Sequence, residues 1–307
     1  MIIVKLMGGL GNQMFQYAAG RALSEKHHVP LKLDLSYLKC EWLERLKGNV
    51  VRKYSLGILN IKEEFVKPCE LPALSFLPGS FMNKPINQLR KFLKPEVPLV
   101  LKEVPFDPIH NLTNFQNTRP PVYLDGFWQS EEYFKEIKNI IVEDFEFRAQ
   151  PFGLNLELAQ KIVSSNSVSL HIRHGDYLTN PRTRNFHGVC SLEYYLTCIN
   201  KIKDQAKDPL FFVFGDDLEW AKKNLPGDVA LIFVEHNVGT SNYYEDLRLM
   251  SLCRHNIIAN STFSWWGAYL NQNPHKIVLA PKPWFKALTD VAAIIPSNWL
   301  EVEAQLD

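Results

Sequence analysis

The second half of the chain alternates short apolar runs, at 167–172, 209–214, 230–234, 256–259 and 276–280, with segments of helical period. Leu192, Tyr195, Leu196, Ile199 and Ile202 show that period best. Strands separated by helices run parallel, and strands covered on both faces read as unbroken apolar runs. The alternation therefore predicts α/β architecture with a helix-covered parallel sheet. The N-terminus reads the same way, with a strand over 2–7, a glycine-rich loop over 8–13, a helix over 14–28 and a second strand through Leu31, Leu33 and Leu35. From about 40 to 120, prolines at 68, 72, 78, 85, 95, 98, 105 and 108 interrupt every run, which predicts partly helical insertions. A boundary near 150 follows, giving two α/β domains, 1–150 and 151–307, that face each other across a cleft. Ligands in such folds sit outside the carboxyl ends of the strands.

The chain has 307 residues, 46% apolar and 12% aromatic, which excludes disordered and fibrous classes. Lysine plus arginine (34) nearly balance aspartate plus glutamate (33), so no global field draws it to nucleic acid or acidic lipid, and charged ligands must be met locally. The apolar runs fall far below the ~18–20 residues that span a bilayer. Met1 to Leu6 lack the pattern of a signal peptide. Five cysteines without a C-x-x-C pair indicate neither a disulfide framework nor a zinc knuckle, and point to small buried hydrophobes in a reducing cytosol. Lys84, Arg90, Lys91, Lys94 and Lys102 interleave with Ile86, Leu89, Phe92 and Leu93. They read as a solvated surface helix; peripheral contact with the inner membrane or a lipid-linked substrate is the alternative.

Four constellations carry chemistry. Gly8 to Met14 follow a strand and open a helix, a context suited to phosphate. As a dinucleotide fingerprint, with Asp34 as the ribose acid, the segment fails at Met14, where close helix packing requires glycine. A substrate loop using the Asn12 and Gln13 amides, or a plain structural turn, remains. His171 to Tyr177 close a predicted strand in which His171, Arg173 and Gly175 share a side. Arg173 there needs an anion, either Asp176 or a phosphate gripped by the guanidinium fork. His171 and His174 face opposite ways, which argues against a shared metal. Asn260 to Leu270 pass from a strand through hydroxyl residues into an aromatic helix. The free N–H groups and hydroxyls of that turn suit an anion. N-capping by Ser261 or Ser264 explains only one hydroxyl, while Trp265 and Trp266 read as core. Asp216 and Asp217 follow a strand as adjacent acids, and helix capping by Asp216 fits better than a shared cation.

Together Gly8–Ala18 (GGLGNQMFQYA), Gly126–Ser130, His171–Tyr177 (HIRHGDY), Asp246–Ser251 and Asn260–Leu270 (NSTFSWWGAYL) resemble the bacterial α-1,2-fucosyltransferases of glycosyltransferase family 11, over nearly the whole chain. The family usually carries H-I-R-R-G-D, and His174 replaces the second arginine. Where that arginine serves the donor, the exchange lowers affinity or makes it pH-dependent. His187–Tyr195 is similar to members that decorate lipopolysaccharide O-antigens. The resemblance implies a GT-B type fold, with an acceptor-side domain at 1–150 and a GDP-sugar-binding domain at 151–307. It implies metal-independent, inverting transfer of L-fucose from GDP-β-L-fucose to the 2-hydroxyl of a terminal β-galactoside, with no cofactor. Arg173, Asp176 and His171 become the catalytic candidates, Arg173 for the departing pyrophosphate and Asp176 for the acceptor proton or for orienting His171. Gly11, Asn12, Gln13, Asp246, Ser261, Thr262 and Phe263 become the donor-binding candidates. Asp246, on a helix over 243–254 that turns Leu247, Met250 and Leu252 inward, would accept the paired N–H donors of guanine, or else merely favour a helix N-terminus together with Glu245. The contrasting readings are a metal-dependent glycosyltransferase working through Asp216 and Asp217, and a non-catalytic carbohydrate-binding module.

Overall fold

The computed structural model describes residues 1–39, 51–67, 70–71, 98–104, 107–287 and 294–307, with all their side chains except those of Asp176 and Thr179. The chain divides into two compact units, Met1–Arg148 and Ala149–Asp307. The prediction for the basic segment falls mostly on 84–97, outside the described residues, as do Cys40 and Cys69.

In the first unit the strands are β1 (Ile2–Lys5), β2 (Leu31–Asp34), β3 (Leu99–Lys102) and β4 (Val122–Asp125). They form a parallel sheet in the order β2-β1-β4-β3. Ile2, Ile3 and Val4 are wholly buried, as central parallel strands require. Helix α1 (Leu10–His27) starts earlier than the 14–28 expected, because Gly8 at φ +77° turns the chain and Gly9 serves as N-cap. Its close approach to the sheet occurs at Gly20, where a Cβ would lie 2.8 Å from Leu31 Cδ1. Met14 packs as ordinary core.

In the second unit the strands are β5 (Ser167–Ile172), β6 (Leu210–Gly215), β7 (Leu231–Phe233), β8 (His255–Ile257), β9 (Val278–Lys282) and β10 (Leu300–Glu303). Their parallel order is β10-β9-β8-β5-β6-β7. Counted from β5, this is the doubly wound order 3-2-1-4-5-6, in which successive connections leave β5 and β8 in opposite directions. Their carboxyl ends therefore diverge into a crevice that loops can line. One long helix, Leu192–Gln205, buries Tyr194, Tyr195, Cys198, Ile199 and Ile202. Each such side chain contributes about 1.5–3 kcal/mol of apolar burial. Trp265 and Trp266 are core, Trp265 stacking on Tyr269 and donating its indole N–H to Ile294 O at 2.8 Å. The helix that carries Asp246 spans Tyr244–Leu252, shorter than expected, and Leu252 lies at the surface rather than in the core. Cys190, Cys198 and Cys253 are buried free thiols. Among the described residues no helix is long and apolar enough to cross a membrane.

Candidate active site

Strand β5 ends at Ile172, so Arg173 and His174 lie on the loop beyond it rather than on an alternating strand. Gly175–Thr179 is a short helix, which removes the expected common side of His171, Arg173 and Gly175. A carboxylate from the end of the neighbouring strand organises this loop. Asp216 accepts from Arg173 Nη1 at 2.6 Å and from the His174 N–H at 2.7 Å. Two glycines permit the approach. A Cβ on Gly175 would lie 2.4 Å from Asp216 Oδ2, and one on Gly215, at φ +149°, would lie 2.2 Å from Ile172 O. The guanidinium also sits 5.1 Å from the Tyr177 ring centroid. Asp216 thus pairs with Arg173, while the side chain of Asp176, the partner expected, lies outside the described residues.

Helix capping belongs to Asp217 and not to Asp216, a correction that a one-residue difference in chain direction explains. Asp217 Oδ1 accepts the Trp220 N–H at 3.1 Å, and Oδ2 lies 2.9 Å from His174 Nδ1. The His174 contact holds the Asp217 carboxyl below its usual range. His174 is buried, with its ring edge-on to Trp220. Because the two acids serve different partners, they do not converge on a common cation. Among the described residues no group of three or more histidines, cysteines and acids could hold a metal ion.

His171, still on β5, is buried, and burial pulls its imidazole down to about 4, with Asp216 opposing and Arg173 adding to the shift. The ring is neutral near pH 7. Its Nδ1 has no hydrogen-bond partner among the described residues, and its centroid lies 6.0 Å from that of Phe263. Phe263 belongs to the first turn of the helix Thr262–Leu270, which Ser261 caps by accepting the Phe263 N–H at 3.4 Å. Ser264 is not available to an anion, since its hydroxyl donates to Ala259 O and Ser261 O. The residue that fixes this turn is Asn260, whose role the sequence reading missed. Its Nδ2 donates to His187 O, Gly188 O and Trp284 O at 3.0–3.3 Å, while the Tyr177 hydroxyl donates to its carbonyl. The only sequence signal for it is a polar amide directly after an apolar strand. Arg173, His171 and the Ser261 turn thus occupy the carboxyl ends of β5 and β8, where the sheet order reverses.

Residues 105–303 match the profile of Glycosyl transferase family 11. The chain belongs to glycosyltransferase family 11. An alpha-1,2-colitosyltransferase of Escherichia coli is 36% identical, covering 98% of this chain and 99% of its own. The O-antigen biosynthesis glycosyltransferase WbnK of Escherichia coli is 32% identical, covering 97% and 99%. Galactoside alpha-(1,2)-fucosyltransferase 1 of Saimiri boliviensis boliviensis is 24% identical, covering 61% and 54%.

In this family 11 glycosyltransferase Asp246 lies on the helix Tyr244–Leu252, which packs against β5 and the Ser261-capped helix. It is buried, and desolvation raises its carboxyl to about 7, with Glu245 adding to the rise and Asn237 opposing it. Asn237 Nδ2 donates to Asp246 Oδ1 at 2.8 Å and to Asn155 Oδ1 at 2.9 Å, and His236 Nε2 sits 2.8 Å from the same Asn155 oxygen. Glu245 is ion-paired with Arg248 at 3.0 Å, so the two acids differ in kind. No cation pairs with Asp246 among the described residues. Asn237 has no sequence signal that could have found it.

The glycine-rich loop of the first unit corrects another expectation. Gln13 is fully buried: Nε2 donates to Gly8 O at 2.9 Å and Lys53 O at 2.8 Å, and Oε1 accepts the Ser55 N–H at 2.9 Å. That buried amide holds the loop, with both of its N–H donors spent on backbone carbonyls. Gly11 is buried in the first turn of α1, and Asn12, half-buried, accepts from Gln129 Nε2 at 2.9 Å.

Proposed function

We propose that the chain transfers L-fucose from GDP-β-L-fucose to the 2-hydroxyl of a terminal β-galactoside with inversion, in the synthesis of O-antigen or a related glycan, without a metal ion. The observation that carries this reading is Arg173, fixed by Asp216 at the carboxyl end of β5 beside the Ser261-capped helix start. A departing nucleoside diphosphate gathers negative charge in the transition state, and a preset guanidinium with backbone N–H donors meets it without reorganisation. Ser261, Thr262 and Phe263 supply the turn. Asp246 receives guanine, whose two neighbouring N–H donors repay the desolvation of a carboxylate that Asn237 already orients. His171 stays uncharged and offers a hydrogen-bonding nitrogen. Asp176 accepts the proton of the attacking hydroxyl; Asp176→Asn then removes the acidic limb of the pH–rate profile, whereas a purely structural Asp176 leaves that limb in place. Names of relatives support the activity class, an α-1,2 linkage and a place in O-antigen synthesis.

The colitosyltransferase relative favours one second reading, a GDP-colitose donor. Colitose is L-fucose without its 3-hydroxyl, so the two donors differ by one hydrogen-bonding group. Incubation with GDP-fucose, GDP-colitose, GDP-mannose and UDP-galactose against a panel of β-galactosides, in excess chelator, separates these readings by nucleotide release. Release with GDP-fucose is the expected result. Release only with GDP-colitose transfers the assignment to that donor; release only with UDP-galactose, or its loss in chelator, contradicts the proposal.

A further inference from the structure

The segment Gly126-Phe127-Trp128-Gln129-Ser130 has no part in the reading above, yet it is held at a cost. Trp128 adopts φ +54°, left-handed backbone that bulky residues rarely take. Its buried indole N–H has no hydrogen-bond partner among the described residues. A single carboxylate anchors this turn. Glu103, directly after β3, accepts the Phe127 N–H at 2.6 Å and the Trp128 N–H at 3.2 Å. Gly126 makes that possible, since a Cβ there would lie 2.4 Å from Glu103 Cβ. The Trp128 ring packs beneath, against Phe115 and Tyr133. The geometrical result is that Phe127 points outward, 41% exposed, on a backbone it cannot easily leave. Gln129 follows two residues along the same turn, its amide steadied by Asn12 on the first turn of α1. Both loops leave the carboxyl ends of adjacent parallel strands, β1 and β4.

We propose that Phe127 and Gln129 form a platform for the acceptor sugar, with Glu103, Trp128 and Asn12 as positioning residues. The proposal deepens the reading of the chain as a transferase acting on β-galactosides. A β-galactoside presents an apolar face made of its C3, C4 and C5 hydrogens, rimmed by hydroxyls that both donate and accept. A rigid aromatic face beside a carboxamide matches that pattern at low conformational cost. A phosphate would require cations. The motif supplies none, and Lys5 at the end of β1 is paired with Asp125 at 3.0 Å.

The test uses the full chain with lactose as probe. Saturation-transfer NMR should show contact to the galactose ring hydrogens in wild type, lost in Phe127→Ala and kept in Phe127→Tyr. Phe127→Ala should raise the acceptor KM about tenfold, while GDP affinity by calorimetry stays within about twofold. Lactose contact that is absent in wild type or unchanged in Phe127→Ala overturns the platform, as does an equal loss of GDP affinity. If no sugar nucleotide supports transfer, lactose contact that depends on Phe127 still upholds the platform, and the transferase reading alone falls.

Discussion

Both units end parallel strands in glycine-bearing loops that lead into helices, but they spend their polar groups differently. In the first unit, neutral amides turn inward: Gln13 closes the loop on Gly8, Lys53 and Ser55, and Gln16 ties Met7 to Gly126. In the second unit the loop after β5 is held instead by acids from the next strand end, with Arg173 on Asp216 and His174 on Asp217. The first unit has its own strand-end ion pair, Lys5 with Asp125, which is more deeply buried. A fully buried amide whose N–H donors are both spent on the backbone stabilises the chain and has no donor left for a ligand. A partly exposed guanidinium held by a carboxylate keeps its charge where a phosphate can reach it. Glycine patterns alone do not separate these two uses.

Substitutions can break the contrast. The largest effect is expected at Arg173→Lys, because an ammonium cannot reproduce the planar fork. About 2–4 kcal/mol of transition-state stabilisation should go, on the scale of a lost oxyanion donor, read as a fall in kcat with circular dichroism unchanged. Gln13→Ala should act on the fold instead. Leaving two carbonyls and an N–H unpaired should cost about 2–3 kcal/mol in urea unfolding, with turnover of the folded protein nearly intact.

Asp246 sharpens the contrast within the second unit. Its folded pKa of about 7 lies above that of an unfolded aspartate, so between about pH 4 and pH 7 the native state binds the extra proton. Stability should therefore fall as pH rises through that window, and Asp246→Asn should flatten the dependence. If guanine needs the ionised carboxylate, GDP affinity should rise with pH to about 7 and then level off, and this rise should vanish in Asp246→Asn. The smallest effect is expected at Asp217→Ala, where loss of the N-cap should lower stability by about 1 kcal/mol in thermal denaturation.

Local physics made much of the fold legible. The apolar run 167–172 coincides with β5, and β6 to β9 fall within a few residues of their expected places, whereas β10 had no expected counterpart. The Arg173 loop and the Ser261 turn were legible because their chemistry is concentrated in consecutive residues. Asp216 and Asn237 were not, because their roles arise from pairings across the fold, which no local pattern encodes. The sequence shows two adjacent acids after a strand, but which one faces Arg173 depends on β6 lying next to β5. Gln13 misled for the complementary reason, since its partners at 53 and 55 lie in a segment with no readable periodicity.

On the proposed reading the charged strand ends of the second unit receive the nucleotide's phosphates. Calorimetric titration of pyrophosphate and of GDP into wild type, Arg173→Lys and Gln13→Ala tests it most directly, at a temperature where all three are folded. Both ligands should bind Arg173→Lys at least about tenfold more weakly than wild type, with Gln13→Ala unchanged. Equal affinities for wild type and Arg173→Lys, or a loss confined to Gln13→Ala, would contradict it.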